Sequence, residues 1–321
     1  MRLFDLHCDT LDAAVKTGCG IRCSRAAIDL DRGGGFSPWV QTFAAWLPDA
    51  QTPGEEARQH CQAMLDAAAR WEAEEPEHFH VWRTGPFPDP LPAGCLAVLA
   101  VENGGLLEGV PDLWPWLSGV GVKLMTLTWN GDNPWASGCF GWPDGGLTPA
   151  GLAALRQMER HGILVDAAHL NAVSFWQTAA AVQRPFLVSH TASAAVHPHP
   201  RNLTDEQFAA VRDAGGLVGL DLYDGHLGGE GMDRFEAHLR HFLSLGGEET
   251  VCIGTDFDGI PLPEGCRGIQ DLQRLADGLH GRGYSPALLD RLFYRNARSF
   301  FRRQFGTERT DSACPGPAEN P

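Results

Sequence analysis

Short apolar segments that end in an ionisable residue recur along this chain of 321 residues. Each is followed by a loop rich in glycine, proline or polar residues, the pattern of a strand buried on both faces of a parallel sheet. Five such segments end in residues that bind metals or carry protons: 2–9, 94–102, 162–169, 184–190 and 251–256. Their repetition constrains the fold more than any single residue does.

Three further segments, 39–46, 119–127 and 216–220, also predict strands, which brings the count to eight. Helix signals lie between them. Pro149 follows the N-cap Thr148 in a helix predicted to reach residue 161, and Thr204 with Gln207 forms a capping box. A third helix is predicted from Thr52–Pro53 to about Glu75. Eight strands alternating with helices predict an α/β fold, a (β/α)8 TIM-like barrel.

In such a barrel the carboxyl ends of the strands converge on one mouth, where active sites lie. His7 and Asp9 are two residues apart, so in a strand they share a face. An imidazole beside a carboxylate suits a divalent metal. One such pair arises easily by chance, but Glu102, His169 and His190 end other predicted strands. The joint pattern predicts a metal site at the mouth.

The hydrophobic content of 43% suits one barrel domain over residues 1–306, and the polar, proline-rich segment 307–321 predicts a disordered tail. A formal charge of −15 argues against binding to nucleic acid or to an anionic membrane. No apolar stretch is long enough to span a bilayer. A candidate ligand at position 7 leaves no room for a secretory signal, and nine cysteines without a Cys-x-x-Cys motif indicate a reducing compartment. We therefore expect a cytoplasmic protein.

The local motifs resemble those of the membrane (renal) dipeptidase family of metallopeptidases, within the amidohydrolase superfamily. The matching stretches follow the family's order over nearly the whole chain: 5–9, 101–105, 125–128, 166–169, 189–190, 201–202 and 253–259. The resemblance implies that His7 and Asp9 hold one divalent ion, that His169 and His190 hold a second, and that Glu102 bridges them. The two ions would share a water that attacks as hydroxide. Zn²⁺ suits this ligand set, and Mn²⁺ or Fe²⁺ are alternatives.

Asp256 resembles the family's catalytic aspartate, which takes the proton of the water and transfers it to the leaving amine. Asp258 competes for this role because a strand would aim both side chains the same way. Position within the motif favours Asp256. Arg201 resembles the arginine that binds the free C-terminal carboxylate of the substrate through two parallel hydrogen bonds. Tyr223 is a further candidate for the pocket wall.

Trp129 departs from the family, whose better-known members have a histidine at this position, thought to bind the substrate carbonyl or its tetrahedral intermediate. An indole donates one N–H and cannot become cationic. Three interpretations stay open. Trp129 donates a weak hydrogen bond to the oxyanion, the metals alone stabilise the oxyanion, or the substrate differs.

The resemblance implies a metallo-dipeptidase for small dipeptides, including those with a D-residue on the C-terminal side. One alternative is an amidohydrolase that acts on another small amide bearing a carboxylate, such as an N-acyl amino acid or a lactam. The other is a catalytically crippled homologue that still binds metal, and Trp129 is the only sequence feature that suggests it. The predicted partner is a small-molecule substrate. The oligomeric state stays open, with a homodimer as one option.

Overall fold

The computed structural model describes residues 1–22 and 25–306, so the predicted tail at 307–321 lies outside the described residues. In the described part of the chain, nine parallel strands form one sheet: β1 Leu3–Asp5, β2 Trp39–Trp46, β3 Phe79–Val81, β4 Cys95–Glu102, β5 Val122–Thr126, β6 Leu164–Asp166, β7 Leu187–Thr191, β8 Leu217–Leu220 and β9 Val251–Ile253. β1 pairs with both β2 and β9, and β2 pairs with β4, which closes an eight-stranded barrel. β3, which the sequence did not predict, pairs beside the start of β4. The predicted (β/α)8 barrel is confirmed.

The α-helices of the described residues lie between strands or follow the last strand: α1 Thr10–Thr17, α2 Leu30–Gly33, α3 Glu55–Glu74, α4 Leu113–Val120, α5 Pro149–Arg160, α6 Ala172–Ala181, α7 Asp205–Asp213, α8 Asp224–Leu227, α9 Met232–Ser244, α10 Leu272–Gly281, α11 Pro286–Asp290 and α12 Asn296–Phe305. Within the described ranges, none of them has the length and apolar character needed to cross a membrane.

Two apolar clusters form the core. The inner cluster takes at least one buried side chain from every strand of the barrel, for example Phe4 of β1 and Leu217 of β8. It therefore fills the barrel interior, as in other barrels of this type. Phe300 and Phe301 of α12 join the same cluster, so α12 closes the end of the barrel opposite the mouth. The outer cluster packs the helices against the strands.

Three strands, β1, β6 and β9, end well before the candidate ligand residue that the sequence predicted as their last residue. β6 ends at Asp166 and β9 at Ile253, because His169 (φ 68°) and Asp256 (φ 60°) adopt left-handed backbone conformations that a strand cannot accommodate. β1 ends at Asp5, and His7 lies in the loop that leads into α1. These candidate ligands lie in short loops just past the strands, on the same side of the barrel as predicted.

Other boundaries also shift for backbone reasons. The helix predicted from Thr52–Pro53 begins at Glu55, because Gly54 (φ 94°) has a backbone conformation that cannot belong to a right-handed helix. The strand predicted over 119–127 covers only Val122–Thr126, because α4 continues to Val120 before Gly121 (φ 99°) turns the chain. The Thr148 cap and the capping box are confirmed by their hydrogen bonds.

Phe300 and Phe301 of α12 form an aromatic plug at the end of the barrel opposite the mouth, and this plug predicts a stability effect. Phe301 is fully buried, and its ring centroid lies 4.9 Å from that of Phe4. Phe301→Ala should lower the free energy of unfolding by about 3–5 kcal/mol, because the cavity left behind cannot collapse fully. Urea denaturation measures this. The control Leu152→Ala, at an exposed position on α5, should cost less than about 1 kcal/mol. Equal losses in the two variants would contradict a structural role for the plug.

Candidate metal-binding active site

The five predicted ligand residues converge at the mouth of the barrel. Glu102 is the last residue of β4, and His190 lies within β7. The loops after β1 and β6 supply the others: His7, Asp9 and His169. All five are buried, with at most 6% of their surface exposed. Elements far apart in sequence therefore place imidazoles and carboxylates in one cluster.

Glu102 lies at the centre of this cluster. Its Oε2 atom is 3.5 Å from Nε2 of His7, and its Oε1 atom is 2.7 Å from Nε2 of His169 and 3.6 Å from Nε2 of His190. The second carboxylate, Asp9, places its Oδ2 atom 3.7 Å from Nε2 of His7. The two oxygens of Glu102 thus face two different sets of ligand-type atoms.

Hydrogen bonds behind the cluster orient two imidazoles, His169 in the loop after β6 and His190 within β7. Nδ1 of His169 lies 3.0 Å from Oδ1 of Asn130, and because an amide oxygen only accepts, this nitrogen carries the hydrogen. Nδ1 of His190 lies 2.9 Å from the Ser189 hydroxyl. Burial lowers the pKa of His169 to about 3, so the ring is neutral. Its Nε2 lone pair then faces the cluster.

The protonation preferences of the cluster indicate a need for positive charge. A neutral His169 presents a lone pair to a Glu102 oxygen 2.7 Å away and to Nε2 of His190 2.9 Å away. At His7 burial favours the neutral ring, but Glu102 and Asp9 outweigh it and raise the pKa well above its usual value. A buried carboxylate and imidazole nitrogens this close together favour positive charge among them, from a proton or from a metal cation.

Unpaired buried atoms support the same conclusion. Within the described residues, His7 Nε2, Asp9 Oδ1 and Glu102 Oε1 are buried and have no hydrogen-bond partner. Buried polar atoms in folded proteins are normally hydrogen-bonded. Three orphaned atoms in one cluster, each a lone-pair donor once His7 loses its proton, fit divalent cations. The donor set of nitrogen and oxygen suits Zn²⁺, Mn²⁺ or Fe²⁺.

The structure separates Asp256 from Asp258, which the sequence pattern could not do. Asp256 is buried at the cluster, with its Oδ1 atom 3.8 Å from Nε2 of His7. Asp258 instead accepts hydrogen bonds from the Thr10 hydroxyl at 2.6 Å and from the backbone N–H of Ala27 at 2.7 Å, so it holds the surrounding loops. Burial raises the pKa of Asp256 well above its usual value, and the neighbouring Asp9 adds to the rise.

Gly259 has a steric role that the sequence motif did not reveal. A Cβ atom at this position would overlap the carboxylates of Asp9 and Asp256. The close approach of the backbone therefore requires glycine here. Asn130 and Ser189 were likewise missed, although Ser189 lies inside a motif that carried the resemblance. Their roles follow from side-chain contacts, which adjacent sequence letters do not encode.

Arg201 and Tyr223 lie beyond the cluster. Arg201 is buried and donates from Nη2 to the backbone carbonyl of His190 at 3.0 Å, while its Nε atom has no partner among the described residues. It lines a cavity of about 310 Å³ that also contacts His169. The ring of Tyr223 packs edge-on against His226, with 4.8 Å between centroids.

A second cavity, of about 230 Å³, opens at the mouth and is lined by Glu102, His169 and Asp256. Trp129 forms part of its wall, 6.3 Å from His169 between ring centroids. The sequence did not indicate three other residues of this wall: Asp12, Lys16 and Trp46. The sequence gives one signal for two of them: Asp12 and Lys16 are four residues apart and therefore share one face of α1.

The closed barrel and the buried cluster of imidazoles and carboxylates at its mouth define the class of the protein, a (β/α)8 barrel with a candidate metal site. The family model for membrane dipeptidase (peptidase family M19) matches residues 1–311, and the chain belongs to this family. The resemblance seen in the sequence is thereby confirmed.

Individual relatives are similar over much of their length. An uncharacterized protein in the pqqA 5′ region of Klebsiella pneumoniae is 33% identical over 215 residues, which cover 63% of this chain and 79% of that protein. The crystal structure described as dipeptidase AC, a metallo peptidase of family M19, has a TM-score of 0.85 at 24% identity, covering 96% of this chain and 99% of that one. A metallo peptidase from Rhodobacter sphaeroides, liganded with a phosphinate mimic of the dipeptide L-Ala-D-Ala, has a TM-score of 0.83 at 24% identity, covering 95% and 99%.

Proposed function

We propose that the protein hydrolyses the peptide bond of small dipeptides with two divalent cations held at the mouth, most simply Zn²⁺. His7 and Asp9 would hold one cation, His169 and His190 would hold the other, and Glu102 would contribute to both sites. The observation that carries this proposal is the geometry of Glu102, whose Oε2 faces His7 and whose Oε1 faces His169 and His190. A shared carboxylate offsets the repulsion between two neighbouring cations.

When bound, two divalent cations polarise the scissile carbonyl and lower the pKa of the attacking water. Asp256 accepts the proton of that water and donates it to the leaving amine, for which its burial beside His7 is well suited. Trp129, which lines the mouth cavity, carries one indole N–H donor, and Arg201 pairs with the free carboxylate of the substrate. Gly259 keeps space for the carboxylates of Asp9 and Asp256.

The proposed substrates are free dipeptides, including those with a D-residue on the C-terminal side. The mouth cavity of about 230 Å³ accommodates a small molecule and not a long peptide. The related barrel from Rhodobacter sphaeroides was crystallised with a mimic of L-Ala-D-Ala, which supports testing D-residues in this position.

The first prediction from this proposal concerns metal content. Protein reconstituted with Zn²⁺ should hold two ions per chain by inductively coupled plasma mass spectrometry. Glu102→Gln should hold fewer than two, because an amide cannot offset the charge of two cations. Glu236→Gln is the matched control, since Glu236 pairs with Arg282 in a surface ion pair away from the mouth. Only trace metal in the reconstituted wild type would refute the proposal.

The second prediction concerns Asp256. Asp256→Asn should keep metal content near that of the wild type and lower kcat by roughly 10²–10⁴-fold, because an amide cannot carry the proton. Steady-state kinetics normalised to bound metal measure this. Asp256 also lies close enough to His7 and Asp9 to act as a ligand, since the three ligand atoms fall within 4.8 Å of one another. A variant that lost metal but kept its rate per bound ion would make Asp256 a ligand instead.

The third prediction concerns Arg201. Arg201→Ala should lower kcat/KM for free dipeptides at least about tenfold, since truncating one partner of a buried charge pair costs several kcal/mol. Dipeptides with an amidated C-terminus should be poor substrates of the wild type and should lose little more in the variant. Parallel kinetics on free and amidated forms measure the difference. Equal losses on both would mean that Arg201 supports the loop and the backbone of His190 without binding the substrate.

A further inference from the structure

The wall of the mouth cavity formed by α1 and β2 has no role in the proposed hydrolysis. Asp12 and Lys16 lie one helical turn apart on α1, and their side chains form an ion pair with 2.6 Å between Oδ2 and Nζ. The Lys16 ammonium also lies 5.2 Å from the ring centroid of Trp46. Trp46 in turn contacts Trp129 edge-on, with 5.1 Å between centroids. These four residues form one continuous wall.

Lys16 is held in place yet keeps donors free. Asp12 is buried and therefore fixed, while the Lys16 side chain is 62% exposed. An ammonium group has three N–H donors, and the pair with Asp12 uses one of them. The ring of Trp46 favours the cation by its negative face. The result is a cation oriented at the cavity wall that can still bind an anionic group.

The charge around Lys16 makes it distinctive. Among the described residues that line the mouth cavity, Lys16 is the one lysine or arginine, and the acids are Asp9, Asp12, Glu102, Asp256 and Asp258. Lysine occurs only twice in the sequence, at positions 16 and 123. Lys123 is buried in β5 and donates to the backbone carbonyl of Arg83. A substrate carboxylate that enters the mouth cavity therefore meets one lysine, Lys16.

The position of Arg201 gives the substrate a direction, and this step rests on the proposed function. Arg201 lines the neighbouring cavity, and His169 lines both cavities. With the α-carboxylate on Arg201 and the scissile bond at the cluster, the N-terminal residue lies toward α1. We propose that Lys16, oriented by Asp12 and Trp46, binds an acidic side chain on the N-terminal residue. The preferred substrates are then dipeptides that begin with glutamate or aspartate.

The kinetic test compares isosteric substrates. The ratio of kcat/KM for Glu-Ala over Gln-Ala should exceed one in the wild type. Lys16→Met should lower that ratio roughly three- to tenfold, a modest effect because the side chain is partly exposed. Lys16→Arg should retain most of the preference, since it keeps the charge. The pair Ala-Glu and Ala-Gln tests the direction, and its ratio should change little.

The matched control is Arg58→Met. Arg58 on α3 also pairs with a carboxylate on its own helix, Glu55 at 2.9 Å, and also lies over a tryptophan, Trp116 at 5.6 Å. It lies outside the residues that line the mouth cavity, so the Glu-Ala to Gln-Ala ratio should stay at the wild-type value. A Lys16→Met ratio no lower than that of Arg58→Met would overturn the proposal. A change confined to the Ala-Glu pair would overturn its direction.

A binding test separates this inference from the proposed function. Acetic anhydride should acetylate Lys16, and mass spectrometry of the peptide that contains it gives the rate. The reduced-amide analogue of Glu-Ala, which cannot be hydrolysed, should slow acetylation of Lys16 in the zinc-loaded protein more than the analogue of Gln-Ala does. Absence of all dipeptidase activity with this protection intact would refute the hydrolysis alone. Equal protection by the two analogues would refute the role of Lys16.

Discussion

The site depends on how the barrel closes between its first and last strands. Asp5 at the end of β1 is fully buried and accepts hydrogen bonds from Gln41 of β2 at 2.8 Å and from the hydroxyl and backbone N–H of Thr255, just past β9, at 2.6 and 2.8 Å. Burial raises the pKa of Asp5, and these hydrogen bonds oppose the rise. Directly above this seam the backbone N–H of Asp256 donates to the carbonyl of His7. The hydrogen bonds that close the barrel between β1 and β9 therefore also position the candidate catalytic groups His7 and Asp256.

The second constraint is electrostatic. Taking Asp9, Glu102 and three imidazoles out of water costs free energy unless opposite charge compensates them. At Glu102 burial opposes ionisation, while the positive charge of His7 favours it, and the pKa of the carboxyl is lowered. The cluster is thus built to be ionised and to attract cations. Its rigidity comes from Asn130 and Ser189, which orient two of the rings from behind.

The floor and the wall of the mouth are separate parts of the structure. The floor consists of residues at strand ends and in the short loops just after them, where the closed sheet fixes every position. The wall consists of side chains from α1, β2 and the loop after β5, namely Asp12, Lys16, Trp46 and Trp129. Helix faces and loops tolerate substitution better than buried strand ends. Under the proposed function, substitutions of Asp12, Lys16 or Trp46 would therefore alter substrate preference while leaving the ligand residues of the floor in place.

The sequence by itself determined the barrel and its candidate ligands. A parallel barrel buries apolar strands on both faces and brings their carboxyl ends, here His, Glu or Asp, together at one mouth. Only the tertiary structure showed that Asp256 lies at the cluster while Asp258 binds the surrounding loops, since left-handed backbone at both positions breaks the alternation that a strand pattern assumes. It alone also placed Lys16 at the mouth. The contact between Lys16 and Trp46 joins α1 to β2 across about thirty residues of sequence. Local periodicity carries no information about which helix face meets which strand.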